Sequence, residues 1–207
     1  MYMNYFKGIG ITIISALLLG CSSSEKGAGA KSGGLQVSSA VKLDGHPVTI
    51  AGITFNPPSL WKELGPSGMR QADYNYGPAA GDSEAANMAV FYFGATSGGA
   101  VESNIERWIG QMSMPDGGDP HQAAQKKDFT VDGMPAHIVE LGGTYNMSMG
   151  GPMMGGETVA KPNYKMAAVV LETPKGNLFF KLTGPEKTAD EMIEAFKTMI
   201  MDIKKTG

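Results

Sequence analysis

The sequence predicts an α+β protein in which a single antiparallel sheet of about six to seven strands carries two long helices. Three observations support this class. Short apolar or alternating segments are joined by tight turns, two other segments carry an apolar stripe at helical spacing, and the apolar fraction of 42% is ordinary for a globular domain. Strands joined by tight turns pair antiparallel, so the predicted order is β-β-β-α-β-β-β-β-α.

The first three predicted strands lie between residues 48 and 93. Val48–Phe55 is rich in β-branched residues and is followed by Pro57 and Pro58, which cannot donate to a strand ladder. Asn87–Phe93 carries apolar residues on both faces, which places it at the centre of the sheet. Between them, the side chains of Met69–Tyr76 alternate between the two faces of a third predicted strand. One face of that predicted strand contains Arg70, Ala72, Tyr74 and Tyr76.

Two segments are predicted to be helical. Val101–Ser113 places Val101, Ile105, Trp108, Ile109 and Met112 in one stripe. The closing helix begins at Thr188-Ala-Asp-Glu191, which has the form of a capping box, and Lys204 and Lys205 are typical of a helix C-terminus. The stripe that this helix is expected to bury consists of Met192, Ile193, Phe196, Met199, Ile200 and Ile203.

Two hairpins are predicted between the helices. Lys127–Val131 and Met134–Leu141 flank Asp132-Gly133, which is a strong hairpin signal. Tyr164–Glu172 and Leu178–Thr183 flank a second turn. The segment between the two hairpins, residues 145–163, contains many glycines and methionines, and we expect it to be a long loop.

The N-terminus predicts a lipoprotein signal peptide. Lys7 precedes an apolar run that is too short to cross a hydrocarbon core of ~30 Å as a helix. The run ends in Leu18-Leu19-Gly20-Cys21, which resembles the bacterial lipobox, where a signal peptidase cuts before a cysteine that has received a diacylglyceryl group. We expect a lipid on Cys21 to hold the protein at a membrane. The alternative is an uncleaved signal anchor with an incidental cysteine.

Three regions are therefore expected. Residues 1–20 are the signal peptide, residues 21–36 are a flexible tether rich in serine and glycine, and residues 37–207 form a single α+β domain. Ser22, which follows the expected lipidation site, is not Asp. In diderm bacteria this resembles the sorting pattern of the outer membrane, so we expect a lipid-anchored protein of the cell envelope that faces the periplasm.

The order of elements, with a strand, a proline turn and a tryptophan at its start, resembles the PsbP-like fold. The matching residues are Phe55-Asn-Pro-Pro-Ser-Leu-Trp61, Val131-Asp-Gly133 and Phe196, and the resemblance covers roughly residues 45–205. This fold also occurs in small bacterial envelope lipoproteins of the DcrB and LpqN type. The resemblance implies a sandwich that acts as a binding or assembly accessory without catalysis, with an envelope protein as its partner.

Composition narrows the classes of function. The formal net charge is −3 and no basic run is present, which argues against binding to nucleic acid. Cys21 is the one cysteine, so the domain contains neither a disulfide nor a thiolate metal site. His46, His121 and His137 show no metal-ligand spacing, and we expect His137 to be a satisfied strand histidine. The sequence shows no catalytic constellation and implies no cofactor, so we expect a protein that is not an enzyme.

The unusual stretch is Asn146–Gly156, which carries four methionines in a glycine-rich frame: Met147, Met149, Met153 and Met154. Thioethers are soft ligands, and the alternative function is therefore a Cu(I) site on this loop, with Met112 and Met114 forming a second pair near His121. A simpler interpretation is that these methionines fill gaps under the loop. A third is that the loop is a surface for a partner protein, since methionine adapts to varied apolar surfaces.

Overall fold

A computed structural model describes Leu35, residues 37–148 and residues 157–206 of the chain. The described helices are α1 (Val101–Ile109), α2 (Pro120–Ala123) and α3 (Glu186–Asp202). None of them is long and apolar enough to cross a membrane. The strands are β1 (Val48–Ile50), β2 (Ile53–Phe55), β3 (Lys62–Glu63), β4 (Arg70–Tyr76), β5 (Ala86–Tyr92), β6 (Met112–Ser113), β7 (Gln125–Val131), β8 (Met134–Ser148), β9 (Thr158–Thr173), β10 (Gly176–Pro185) and β11 (Lys204–Lys205).

The main sheet confirms the predicted α+β class and is larger than predicted. Its described part has eight antiparallel strands, in the order β3-β4-β5-β10-β9-β8-β6, and β7 also pairs with β8. Both predicted hairpins are present: β7 turns into β8 at Asp132-Gly133, and β9 pairs with β10 from Gly176↔Thr173 to Pro185↔Tyr164. The centre of the sheet is formed by β9 and β10, each of which is paired on both sides.

Both faces of this sheet are covered. On the first face, Ala167, Val169 and Leu171 of β9 pack in the core that contains α3 and β2. On the second face, Met166, Ala168 and Val170 pack in the core that contains α1. Because side chains alternate along a strand, one continuous apolar run serves both cores.

A second, three-stranded sheet replaces part of what the sequence predicted. Val48–Phe55 is not one strand but a hairpin, because Ala51 and Gly52 both adopt positive φ (50° and 77°) and turn the chain between β1 and β2. Lys204 and Lys205 do not end the last helix. They form β11, which pairs with β2, and α3 ends before them at Asp202.

The first predicted helix is shorter than its stripe. α1 ends at Ile109, and Met112–Ser113 forms β6, which pairs with Tyr145 and Thr144 of β8. Met112 is nevertheless buried in the same core as Trp108. The spacing of apolar residues therefore identified Ile105, Trp108, Ile109 and Met112 correctly as buried, although Met112 reaches the core from a strand and Val101 is only half-buried.

The N-terminus of α3 is capped from elsewhere in the chain. The helix begins at Glu186, so Thr188 lies inside its first turn and the predicted capping box is wrong. The backbone amide and the hydroxyl of Thr188 donate to Asp82 Oδ2 at 2.8 and 2.6 Å, and its hydroxyl accepts from the amide of Ala79 at 3.0 Å. Glu191 accepts instead from the hydroxyl of Tyr76 at 2.9 Å. The hydrogen bond from the Thr188 hydroxyl lowers the pKa of Asp82, which keeps this cap ionised.

A bulge in β4 places Arg70 on the opposite face of the sheet from the one predicted. Arg70 pairs with Phe91, whereas Ala72 pairs with Val90, so Gln71 has no partner across the ladder. Arg70 therefore does not share a face with Ala72, Tyr74 and Tyr76. It lies with Asp73 instead, and its Nη1 donates to Asp73 Oδ2 at 2.7 Å.

Replacing Phe196 by Ala tests whether α3 is an integral layer of the fold. Phe196 is fully buried, so Phe196→Ala should lower the free energy of unfolding by about 3–5 kcal/mol through lost burial and a residual cavity. The urea midpoint reports this change. Glu194→Ala, an exposed position on the same helix, is the matched control and should change stability by less than about 0.5 kcal/mol. Equal midpoints for both variants would contradict the packing of α3 on the sheet.

Candidate functional site

The two longest strands continue past the end of β10 as an extension that β6 joins at Thr144 and Tyr145. β10 ends opposite Tyr164, while β8 and β9 stay paired as far as Ser148↔Thr158. We call residues 144–148 and 158–163 the ribbon. The prediction that residues 145–163 form a long loop is therefore wrong at both ends, because residues 145–148 and 158–161 are paired strands, while residues 149–156 lie outside the described residues.

A bulge marks the base of the ribbon and explains why the sequence resembles a loop there. Gly143 pairs with Tyr164, but Tyr145 pairs with Lys161, so β9 carries an extra residue at Pro162-Asn163. Asn163 adopts a positive φ of 56°, which asparagine tolerates well. A Cβ on Gly143 would lie 2.7 Å from the carbonyl oxygen of Ser113, so a larger residue cannot stand where β6 approaches β8.

Side chains from distant parts of the chain brace this base. Glu84, in the β4–β5 connection, accepts from Lys161 Nζ at 2.6 Å and from the Tyr164 hydroxyl at 2.7 Å. The rings of Tyr145 and Tyr164 are stacked, with centroids 6.1 Å apart. The hydrogen bond from Lys161 is the main reason why the pKa of Glu84 is lowered, so this carboxylate stays charged. Sequence reasoning missed Glu84, because nothing local links it to residues nearly eighty positions away.

One face of the ribbon is largely apolar. Strand alternation and the pairs Tyr145↔Lys161 and Met147↔Val159 place these four side chains on the same face. Tyr145 packs against the core beneath α1, and Val159 is 36% exposed. The apolar surface of the second core thus continues along the ribbon as far as Met147 and Val159.

The four methionines of the copper hypothesis are only partly within the described residues. Met147 lies on β8 and is half-buried, while Met149, Met153 and Met154 lie outside the described residues, as do Cys21, Ser22 and the predicted signal peptide. Met112, of the second methionine pair, is buried in the core beneath α1 and fills space there. Among the described residues, no group of three His, Cys, Asp or Glu side chains is arranged to hold a metal ion.

The histidines do not converge. His137 Nδ1 lies 2.7 Å from Asp128 Oδ1, and Nε2 lies 3.0 Å from Glu172 Oε1, so both ring nitrogens are occupied. Although burial lowers the pKa of His137, the hydrogen bonds to Glu172 and Asp128 outweigh it and raise the pKa above its usual value. His121 lies beside Glu106, and His46 is exposed.

No family model and no curated protein matches this chain. Among solved structures, it is similar to LpqN, described as involved in cell envelope biogenesis of Mycobacterium tuberculosis, with 13% identity, a TM-score of 0.47 and coverage of 79% of this chain and 86% of that one. It is also similar to the cyanobacterial PsbP of Synechocystis sp. PCC 6803, with 13% identity, a TM-score of 0.46 and coverage of 83% and 98%.

Proposed function

We propose that this protein is a lipid-anchored lipoprotein of the cell envelope that binds a partner protein without catalysing a reaction. The lipobox-like Leu18-Leu19-Gly20-Cys21 supports the anchor, and Ser22 supports an outer-membrane destination that faces the periplasm if the cell is diderm. The tether of residues 21–36 would hold the domain clear of the bilayer while keeping it near the membrane.

The ribbon is the observation on which the binding role rests. It is held rigidly at its base by Glu84 and β6, and its apolar face with Met147 and Val159 leads directly to the methionine-rich segment. A braced hairpin loses little conformational entropy on binding, and methionines adapt to varied apolar surfaces. This combination suits a contact with an apolar patch on an envelope protein.

Cu(I) binding by the four methionines is the alternative role for the same hairpin. Thioethers suit Cu(I), and the ribbon holds Ser148 and Thr158, between which Met149, Met153 and Met154 lie in the sequence, within one strand spacing of each other. Both roles use the same tip but require different chemistry from it, so one set of variants can separate them.

Cys21→Ser tests the anchor. The thioether bond to lipid requires the sulfur, so the variant should incorporate no radiolabelled palmitate and should remain an uncleaved precursor, whereas the unchanged protein should be labelled and shortened. Ser22→Ala leaves the sulfur in place and is the matched control. Equal labelling of the Cys21→Ser variant and the unchanged protein would refute lipidation at this site.

A photo-reactive residue on the ribbon tests the binding role. Val159 replaced by benzoylphenylalanine should form a discrete cross-linked adduct with an envelope protein in intact cells, because its side chain lies on the proposed contact face. The same substitution at Leu60, an 81% exposed apolar residue outside the ribbon, is the control and should give no such adduct. Absence of an adduct from position 159, or the same adduct from both positions, would contradict the proposal.

Replacing Met147, Met149, Met153 and Met154 together by Leu separates the two roles. Leu and Met are close in volume, so an apolar contact survives and the adduct from position 159 should remain. Under the copper alternative, the unchanged protein would bind one Cu(I) under reducing conditions and this variant would bind none.

A further inference from the structure

A cavity of about 390 Å³ lies among four parts of the chain: the segment that leads into β1, the turn after β2, the end of β4, and α3. We call it the α3 cavity. Its volume is typical of pockets that bind small molecules. Its lining lies outside the ribbon and includes Val41, Leu60, Trp61, Tyr76, Glu191 and Ala195.

The walls of the α3 cavity are fixed by hydrogen bonds within the chain. The backbone amide of Ser59 donates to Asp44 Oδ1 at 2.9 Å, and the amide of Gly45 donates to the carbonyl of Pro57 at 2.8 Å. A Cβ on Gly45 would lie 2.5 Å from that carbonyl oxygen, so this close approach requires glycine. The segment before β1 is therefore held against the turn after β2, and the cavity is formed before any ligand binds.

Part of the lining is apolar and aromatic. Trp61 is 5% exposed, and its ring is tilted against the ring of Tyr74, with centroids 6.2 Å apart. Leu60, the residue before it, lines the same cavity and is exposed to solvent. The turn after β2 thus supplies a fixed aromatic wall and an exposed apolar edge.

One carboxylate of the lining, Glu191, forms no ion pair with a cation of the described residues. The hydroxyl of Tyr76 donates to Glu191 Oε2 at 2.9 Å. This hydrogen bond is the main reason why the pKa of Tyr76 is raised, so the phenol remains a proton donor. The other charged residues of the lining, Lys42 and Asp44, have opposite signs, and Lys42 helps to lower the pKa of Asp44. The charge of Glu191 is therefore the one that the lining leaves uncompensated.

A carboxylate beside an aromatic and aliphatic wall is complementary to a cation with an apolar body, because the charge and the ring faces both attract it. We propose that the α3 cavity binds a small organic cation, an ammonium group with short alkyl substituents, through Glu191 and Trp61. An anion would be repelled by Glu191. A hydrated metal ion would gain nothing from the apolar wall.

This site is independent of the proposed docking role. It is built from the segment before β1, the turn after β2, β4 and α3, and it shares no lining residue with the ribbon. Failure of the ribbon experiments would leave the cation site intact, and failure of the cation site would leave the ribbon as a docking element.

The two tryptophans provide a reporter and a reference. Trp61 lines the cavity, whereas Trp108 lies in the core beneath α1, on the other face of the sheet. In ¹⁵N-labelled full-length protein in maltoside detergent, the two indole signals are assigned with Trp108→Phe. Replacing sodium chloride by choline chloride at constant ionic strength should shift the Trp61 signal saturably and leave the Trp108 signal in place.

An uncharged analogue tests whether the charge matters. Dimethylbutanol, the isostere in which carbon replaces the quaternary nitrogen of choline, should bind about tenfold more weakly, because it has the same shape and no charge. Equal affinities for choline and this alcohol, or equal shifts of both indole signals, would overturn the proposal.

Glu191→Gln keeps an acceptor for the Tyr76 hydroxyl and removes the charge. Glu191 is exposed on α3, so the fold should tolerate this change, while the affinity for choline should fall by about tenfold. Glu194→Gln changes an exposed carboxylate on the same helix, outside the lining, and is the matched control. An unchanged affinity in Glu191→Gln, or an equal fall in both variants, would contradict binding at this carboxylate.

Ala195→Leu tests the cavity itself. Ala195 lines the cavity from α3, so a larger side chain should occupy part of the space and abolish the choline-dependent shift of Trp61. The Trp108 signal, unchanged in position, would show that the fold is intact. Undiminished binding in this folded variant would place the cation elsewhere and overturn the proposal.

The source of the cation is distinguished by a lipid that carries the same group. Full-length protein is placed in nanodiscs of phosphatidylglycerol, with or without phosphatidylcholine. A shift of the Trp61 signal with free choline identifies a soluble cation, and a shift only with phosphatidylcholine identifies a lipid headgroup, for which the same variants are then measured. No response of the Trp61 signal to either form refutes the proposal.

Discussion

The double burial of the central strands sets the conditions for everything else in this fold. Met166–Leu171 of β9 are withdrawn from solvent at every position, and so are Leu178 and Phe180 of β10. A strand of this kind is stable only when both faces of the sheet are covered, because each apolar side chain left exposed to water loses about 1.5–3 kcal/mol of stabilisation from burial. α3 with the small sheet covers one face, and α1 covers the other.

The two coverings differ, and the difference explains where the unusual side chains lie. α3 is seventeen residues long and is tied to the sheet by the Asp82 cap, whereas α1 has nine residues. On the α1 face the apolar core gives way to the polar set of Arg70, Asp73 and Lys181, and farther along to the stacked tyrosines at the base of the ribbon. The proposed docking element therefore belongs to the less completely covered face.

Local signals predicted much of this architecture. Asp132-Gly133 identified a hairpin because a two-residue turn needs only those two residues, and the stripe with Phe196 identified α3 because helical spacing is a local property. The predictions failed where the local structure is determined by a distant contact or by an unusual backbone angle. Ala51 shows no sign in the sequence of its positive φ. Asp82 acts on Thr188, 106 positions away, and Glu84 acts on Tyr164, 80 positions away.

In the ribbon, some features could be predicted from local sequence and others depend on distant contacts. Gly142, Gly143, Pro162 and Asn163 are typical of a loop, yet here they lie at a bulge between paired stretches of β8 and β9. The missing Cβ of Gly143 leaves room for β6 beside the bulge, so residues that resemble irregular chain belong to two long paired strands. The sequence alone showed that this segment is rich in methionine. The rigid support at the base of the ribbon depends on Glu84, and the sequence gives no sign of that contact.

The proposed binding role depends most on the ribbon being a paired, braced extension of the sheet. Residue-level hydrogen–deuterium exchange of the full-length protein tests this directly. Alternate amides of residues 144–148 and 158–161 should exchange slowly, as ladder hydrogen bonds require, and much more slowly than the amides of residues 37–40, which precede the first strand. Replacing Glu84 by Gln should speed exchange within the ribbon while leaving Met166–Leu171 protected. Exchange of the ribbon amides at the rate of residues 37–40 in the unchanged protein would contradict the account.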